Sequence, residues 1–122
     1  MTGRVIVLAQ DLIWADRLAR AVEAAGAEPV RVGSLERLEV VLPGAAAAIV
    51  DLTALAYDGV VAIEAARAGG VPVLAVGQHD DHELRKRALA AGAERVYAYR
   101  KLFEDGPATI AAFLERSAPV GS

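Results

Sequence analysis

Few residues of this sequence belong to the types that carry out chemistry at active sites. The chain has no cysteine and only two histidines, His79 and His82, which precede a segment with helical spacing. A zinc site would need a third and a fourth ligand, and only scattered carboxylates remain to supply them. We therefore expect both histidines to be surface or helix-capping residues rather than a general base or a metal-binding pair.

Asp51 is the strongest candidate for a chemical role. It follows the apolar run Ala46–Val50, whose length and composition predict a buried strand. In sheets of parallel strands, ligands bind at the carboxyl ends of the strands, which is where Asp51 would lie. An aspartate at such a position can equally be a turn or helix-cap residue, and both interpretations stay open at this point.

Short apolar runs alternate with longer amphipathic runs along the chain. The predicted strands are Val5–Ala9, Glu28–Val32, Ala46–Val50, Val71–Val76 and Arg95–Tyr99. The predicted helices are Leu12–Ala25, Ser34–Leu42, Gly59–Ala68, Asp80–Ala91 and Glu104–Arg116. Five successive strand–helix units predict an α/β fold, a doubly wound five-stranded parallel sheet with helices on both faces.

The loop that follows the first predicted strand argues against two common kinds of nucleotide-binding site. Dinucleotide-binding folds need a glycine-rich turn after the first strand, so that the backbone can approach a pyrophosphate. The segment Ala9-Gln10-Asp11-Leu12 contains no glycine. The same absence excludes a P-loop.

Length and charge limit the remaining possibilities. The chain has 122 residues and a formal net charge of −3, with acids and bases interspersed. This predicts one domain, residues 1–117, and a flexible C-terminal tail, residues 118–122. No basic tract indicates a nucleic-acid partner, and no apolar run is long enough for a signal peptide or a membrane span. We expect a cytoplasmic protein that is not an enzyme.

Several segments fall in the order and spacing of a known family. They are Asp51…Asp58-Gly59, Val71-Pro72-Val73-Leu74-Ala75-Val76, His79-Asp80-Asp81 and Arg87-Ala88-Leu89-Ala90-Ala91-Gly92-Ala93. The chain resembles the receiver domains of bacterial response regulators, the CheY-like, flavodoxin-like phospho-acceptor family, from Arg4 to about Leu114. The resemblance implies the strand order 2-1-3-4-5 and places Asp51 at the position that accepts a phosphoryl group.

Five other positions depart from the family pattern. Receivers have two acids after the first strand, a Thr or Ser after the fourth, a Lys after the fifth and an aromatic residue within the fifth. The corresponding residues here are Ala9, Gln10, Gly77, Tyr99 and Val96. Without the acid pair, Mg²⁺ binding should be weak or absent. Without the lysine, little offsets the charge of a phosphoryl group.

We therefore expect a degenerate receiver that binds proteins, another signalling protein or a second copy, without being phosphorylated. A first alternative is an unconventional phospho-acceptor, in which Asp11 and Gln10 complete a weak metal site and Arg100 or Lys101 replaces the lysine. A second alternative is a small pocket for a nucleotide or another anion, lined by Gly77, Tyr99 and Arg100.

The resemblance also indicates a partner surface on the fourth helix, fifth strand and fifth helix. It would carry Arg85, Lys86, Arg87, Tyr97 and Phe103. Ordinary solvated side chains are an equally simple interpretation of its charges. Trp14, at the start of the first helix, is either a half-buried packing residue or an exposed anchor for a partner.

Overall fold

Five short strands, each followed by a helix, make up the computed structural model, which describes residues 3–117. The strands are β1 (Arg4–Leu8), β2 (Glu28–Val32), β3 (Ala47–Asp51), β4 (Val73–Gly77) and β5 (Arg95–Ala98). The helices are α1 (Leu12–Ala24), α2 (Leu35–Val41), α3 (Gly59–Ala68), α4 (His82–Ala91) and α5 (Tyr99–Ser117). The strands form one parallel sheet in the order β2-β1-β3-β4-β5, so the predicted fold class is confirmed.

Each face of the sheet is covered by its own apolar layer. Side chains that alternate along β1 and β3 point to opposite faces. Val5 and Ile49 contact α1 and α5, where Leu18 and Phe113 are buried. Ile6 and Val50 contact the layer that contains α2, α3 and α4. Both faces of the central strands are therefore buried, which explains why these strands are apolar without alternation.

The helix starts and ends follow from local chemistry. Ser34 caps α2 by accepting a hydrogen bond from the Arg37 amide at 3.2 Å, and Asp58 caps α3 through the amides of Val60 and Val61. Gly92 ends α4 with a φ of 116°, in the left-handed region that favours glycine.

Most predicted boundaries differ from the observed ones by one or two residues, and the start of the last helix differs by more. Strand β4 is Val73–Gly77, because Val71 and Pro72 precede the ladder and Gly77 is still paired. The cap of α4 is Asp81, not Asp80, and its carboxylate accepts from the Leu84 amide at 3.1 Å.

The largest error affects the site. The last helix begins at Tyr99 rather than Glu104, so β5 ends at Ala98. The added turn is separated from the rest of α5 by non-helical backbone at Asp105 (φ −145°, ψ 34°), just before Pro107. Proline is common in the first turn of a helix. The helix start that the sequence predicts near residue 104 is therefore the start of the second half of a kinked helix.

None of the helices in the described part of the chain is long and apolar enough to cross a bilayer. The predicted tail, residues 118–122, lies outside the described residues.

Candidate functional site

The carboxyl ends of four strands bring most of the predicted site residues to one edge of the sheet. Asp51 is the last residue of β3, between the ends of β1 and β4 in the strand order. Ala9 follows β1, Gly77 ends β4 and Tyr99 follows β5. The crevice at this edge is therefore assembled from segments far apart in the sequence.

One oxygen of the Asp51 carboxylate accepts several hydrogen bonds from the protein. Only 2% of the residue is exposed. Its Oδ1 atom accepts from the Thr53 amide at 3.0 Å and from the Thr53 hydroxyl at 2.9 Å. The Tyr99 hydroxyl also donates to Oδ1, which places it directly beside the Thr53 hydroxyl. Asp51 is thus a turn residue whose carboxylate is tied to two other side chains, while α3 is capped by Asp58.

Tyr99 supplies a neutral donor from the start of α5. Burial raises the pKa of Tyr99 above its ordinary value, and the hydrogen bond to Asp51 raises that pKa further. The phenol therefore stays protonated at neutral pH and continues to donate. Its ring packs against Trp14, with the ring centres 4.6 Å apart and an interplanar angle of 44°. Trp14 is half-buried, as the packing interpretation of this residue predicted.

The polar side chains after β1 bind main-chain amides rather than the Asp51 carboxylate. The Gln10 side-chain oxygen accepts from the amides of Leu55 at 2.7 Å and Ala56 at 3.1 Å, and so holds the loop between β3 and α3. The Asp11 carboxylate accepts from the amides of Ile13 and Trp14 and caps α1. These contacts do not favour the metal-binding roles that the first alternative assigns to Gln10 and Asp11.

These donors do not fit a magnesium ion. Mg²⁺ needs hard oxygen ligands arranged around it. Ala9 has no side-chain oxygen, the Gln10 oxygen holds a loop, and Oδ1 of Asp51 already accepts three hydrogen bonds. Within residues 3–117, no three Asp, Glu or His side chains lie close enough together to hold a metal ion.

Tyr57 is a site residue that sequence analysis missed. Its hydroxyl contacts the main-chain oxygens of Leu8 at 3.0 Å and Asp51 at 2.7 Å, which links the ends of β1 and β3. Burial raises the pKa of Tyr57 above its ordinary value, and the nearby carboxylate of Asp51 raises it further. A tyrosine one residue before the Asp58 cap was the only available signal, and it says nothing about which carbonyls the hydroxyl reaches.

Gly77 and Val96 add no polar side chain to the crevice. A Cβ atom built on Gly77 would lie 3.4 Å from the Leu52 side chain, which is ordinary contact. The buried Leu52 side chain thus fills the space beside the end of β4. Val96 is buried in the layer formed by α2, α3 and α4. Its aliphatic side chain cannot rotate an aromatic ring between two positions.

Arg100 and Lys101 do not reach Asp51 in this structure. The Arg100 guanidinium donates to Glu104 at 2.8 Å, and Lys101 pairs with Asp105 at 3.4 Å. Both are i,i+4 pairs along α5, so these cations neutralise acids of their own helix.

A cavity of about 350 Å³ lies between β5 and the loop after β4. It is lined by Gln78, His79, Ala98, Tyr99 and Arg100. The predicted anion pocket therefore contains Tyr99 and Arg100. Its third predicted residue, Gly77, is not part of the lining.

The predicted partner surface is divided in two. Arg85, Lys86 and Arg87 are exposed on α4. Phe103 instead contacts α1, where its ring centre is 4.6 Å from the guanidinium carbon of Arg17. Phe103 therefore belongs to the surface between α1 and α5.

Solved structures of response-regulator proteins share this fold. A two-component response regulator from Clostridium difficile has a TM-score of 0.83 at 14% identity, over 97% of this chain and 100% of its own. A protein named as a response regulator from Chloroflexus aurantiacus has a TM-score of 0.82 at 20% identity, over 95% and 100%. A CheY-like receiver domain protein from Methanospirillum hungatei has a TM-score of 0.78 at 18% identity, over 96% and 97%.

No protein-family model matches this sequence, and no curated protein matches it significantly. The structural neighbours establish the receiver fold, which is the CheY-like variant of the flavodoxin fold. At this level of identity they do not by themselves assign a function.

Proposed function

We propose that this protein is a receiver-like signalling domain of the two-component type that works without phosphorylation, as a non-catalytic protein-binding module. The observation that carries the proposal is the environment of Asp51. Its Oδ1 atom accepts hydrogen bonds from the Thr53 amide, the Thr53 hydroxyl and the Tyr99 hydroxyl. These hydrogen bonds leave Oδ2 as the one carboxylate oxygen that could both bind a metal ion and attack a phosphoryl donor.

The charges around Asp51 support the same proposal. A phosphoryl group would add about 1.5 to 2 negative charges to a buried position. An ammonium group about 4 Å away would stabilise each unit of this charge by roughly 4 kcal/mol at the effective dielectric constant typical of protein surfaces. Tyr99 is neutral and offers one hydrogen bond, while Arg100 and Lys101 pair with acids on their own helix. The positive charge that usually stabilises phosphoryl transfer is therefore missing near Asp51.

The same contacts give the crevice one fixed conformation. Tyr99 joins the start of α5 to the end of β3, and Gln10 joins the end of β1 to the loop between β3 and α3. In a module that binds partners through a preformed surface, such contacts reduce the ordering that binding would otherwise require.

Labelling with a small phosphodonor tests the proposal. The full chain is incubated with acetyl phosphate and Mg²⁺, and its intact mass is compared with that of Asp51→Asn. We expect no phosphorylated species in either sample. Stoichiometric labelling of the wild type that is lost in Asp51→Asn would overturn the proposal.

A restored variant serves as the positive counterpart. It combines Ala9→Asp, Gln10→Asp, Gly77→Thr and Tyr99→Lys, which return the residue types typical of receivers. If it is folded by circular dichroism and becomes labelled on Asp51, the four native residues are what prevents the reaction. If it is folded and remains unlabelled, another feature of the crevice prevents the reaction, and the four native residues do not account for it.

The second candidate function is an unconventional phospho-acceptor. It is favoured by the position of Asp51 at the end of a central strand and by its Oδ2 atom, which accepts no hydrogen bond from residues 3–117. In this case a cognate kinase would label the wild type but not Asp51→Asn. Tyr99→Phe would then increase the labelling rate, because one competing donor is removed.

A further inference from the structure

The surface between α1 and α5 carries a cation that has no acidic partner among residues 3–117. The guanidinium carbon of Arg17 lies 4.6 Å from the centre of the Phe103 ring and 5.7 Å from that of Trp14. These rings hold the guanidinium in place through cation–π attraction. In the described part of the chain Arg17 forms no ion pair, whereas Arg20 on the same helix pairs with Asp16 at 2.8 Å.

Beside Arg17, α1 and α5 border a groove of about 330 Å³ with an apolar floor. The floor is formed by Ala21, Ala24, Leu102 and Pro107, and Arg20, which pairs with Asp16, also lines the groove. Phe103, which is 62% exposed, lies at its rim. The groove can accept an aliphatic side chain, and Arg17 is placed to pair with a carboxylate beside that side chain.

The outward face of α2 has the complementary chemistry. Val40 is 68% exposed, and Glu36 and Glu39 precede it by four residues and one residue. Leu38 points the other way and is fully buried, so these three residues lie on the solvent side of α2. Arg37 is exposed beside them, so the two glutamates leave this side with a net charge of −1. Within residues 3–117 neither glutamate forms an ion pair.

We infer that the groove between α1 and α5 binds the α2 face of a second copy of this chain. Val40 of one copy enters the groove, and Glu36 and Glu39 approach Arg17. The inference goes beyond the proposed function and does not rest on it, because it holds whether or not Asp51 is phosphorylated.

The two surfaces cannot satisfy each other within one copy. Leu102 is buried in the layer on one face of the sheet, and Leu38 is buried in the layer on the other. The groove and the α2 face therefore lie on opposite sides of the domain. A contact between two different surfaces is heterologous, so it continues from copy to copy as a ring or an open chain rather than stopping at a symmetric dimer.

The contact should be weak and salt-sensitive. One aliphatic side chain enters an open groove, and exposed ion pairs add little to the binding free energy. Because screening by salt weakens such pairs, we expect association at high protein concentration and low ionic strength, and its loss at high ionic strength.

Sedimentation of charge-reversal variants of the full chain tests the inference. Arg17→Glu alters only the groove, and Glu39→Arg alters only the α2 face. Each variant alone should associate roughly tenfold more weakly than wild type, because every contact between its copies places like charges together. An equimolar mixture of the two should recover association. In the mixture, the reversed groove of one variant meets the reversed α2 face of the other, and the two unaltered surfaces also meet.

Matched controls separate this result from a change in net charge. Arg85→Glu and Glu64→Arg change the charge by the same amounts at exposed positions on α4 and α3, and they should associate like wild type. Circular dichroism establishes that every variant is folded. A wild type that remains a monomer at millimolar concentration would overturn the inference, and so would a mixture of Arg17→Glu and Glu39→Arg that does not recover association.

Discussion

The crevice around Asp51 and the outer surfaces of α1, α2 and α5 use their polar groups in opposite ways. In the crevice, Asp51, Thr53, Tyr57 and Tyr99 make hydrogen bonds to one another or to the nearby main chain. On the outer surfaces, several charged side chains pair with a neighbour, but Arg17 and Glu39 form no ion pair with residues 3–117.

This difference shows where the two regions direct their interactions. Hydrogen bonds within the crevice stabilise one conformation and leave few groups free for a substrate or an ion. Unpaired surface charges contribute little to folding but are available to a partner. Changes in the crevice should therefore act mainly on the free energy of unfolding, and changes on the surface mainly on association.

High pH should produce the largest effect. Tyr57 and Tyr99 have raised pKa values in the folded protein, so above about pH 10 the unfolded chain loses protons that the folded chain keeps. Their contribution to stability is complete below about pH 10 and decreases as the pH rises further. The decrease should be up to about 1.4 kcal/mol per pH unit for Tyr57, and less for Tyr99, whose ring is partly exposed.

Urea unfolding at several pH values between about 9 and 12 measures this decrease. The control is Tyr57→Phe, which cannot ionise at this position and should show a shallower pH dependence. Equal pH dependence in the two proteins would mean that Tyr57 does not contribute as described.

Removing the Tyr57 hydroxyl should be the most damaging of the single-atom changes. Tyr57→Phe leaves the main-chain oxygens of Leu8 and Asp51 without this buried donor, at a cost of about 2 kcal/mol in the free energy of unfolding. Urea unfolding at neutral pH gives the value. Tyr97→Phe, at a half-buried position on β5, should cost less than about 0.5 kcal/mol.

Removing the Tyr99 hydroxyl tests the contact to Asp51 itself. Tyr99→Phe should cost about 1.5 kcal/mol, because a hydrogen bond to a charged group is lost while the ring still packs against Trp14. Since Trp14 is the only tryptophan, its emission reports on this packing and should change little. A loss of stability accompanied by full exposure of Trp14 to a quencher would instead indicate that the start of α5 has detached.

The smallest effects are expected on the surface. Glu39→Ala should leave the free energy of unfolding within about 0.5 kcal/mol of wild type, and Arg17→Ala should lower it by about 0.5 kcal/mol through the lost cation–π contacts. Arg85→Ala serves as the control for an exposed arginine with no aromatic neighbours in the described residues. If Glu39→Ala destabilised the fold as much as Tyr57→Phe, the contrast between crevice and surface would be wrong.

Much of the fold was predictable because its signals are local. Runs such as Val5–Ala9 are too short and too rich in β-branched residues for helices, and their alternation with amphipathic segments specifies a parallel sheet. The boundaries near Tyr99 were not predictable in the same way. A single helical turn that ends at Asp105 and Pro107 leaves no periodic pattern of its own.

The candidate site was predictable in position but not in its contacts. The spacing around Asp51 placed Ala9, Gly77 and Tyr99 at the same edge of the sheet, and the structure brings them there. The sequence did not show that Gln10 holds the loop after β3, that Asp11 caps α1, or that Tyr57 bridges two strands.

The sequence by itself determined the order of strands and helices, the placement of an aspartate at the end of a central strand, and the absence of the acids, hydroxyl and lysine that accompany it in receivers. Only the tertiary structure decided which groups donate hydrogen bonds to that aspartate. The hydrogen bond between Tyr99 and Asp51 joins residues 48 positions apart. Whether it forms depends on where the first turn of α5 places a phenol, and that placement is set by packing against Trp14 and by the kink at Asp105 rather than by any local pattern.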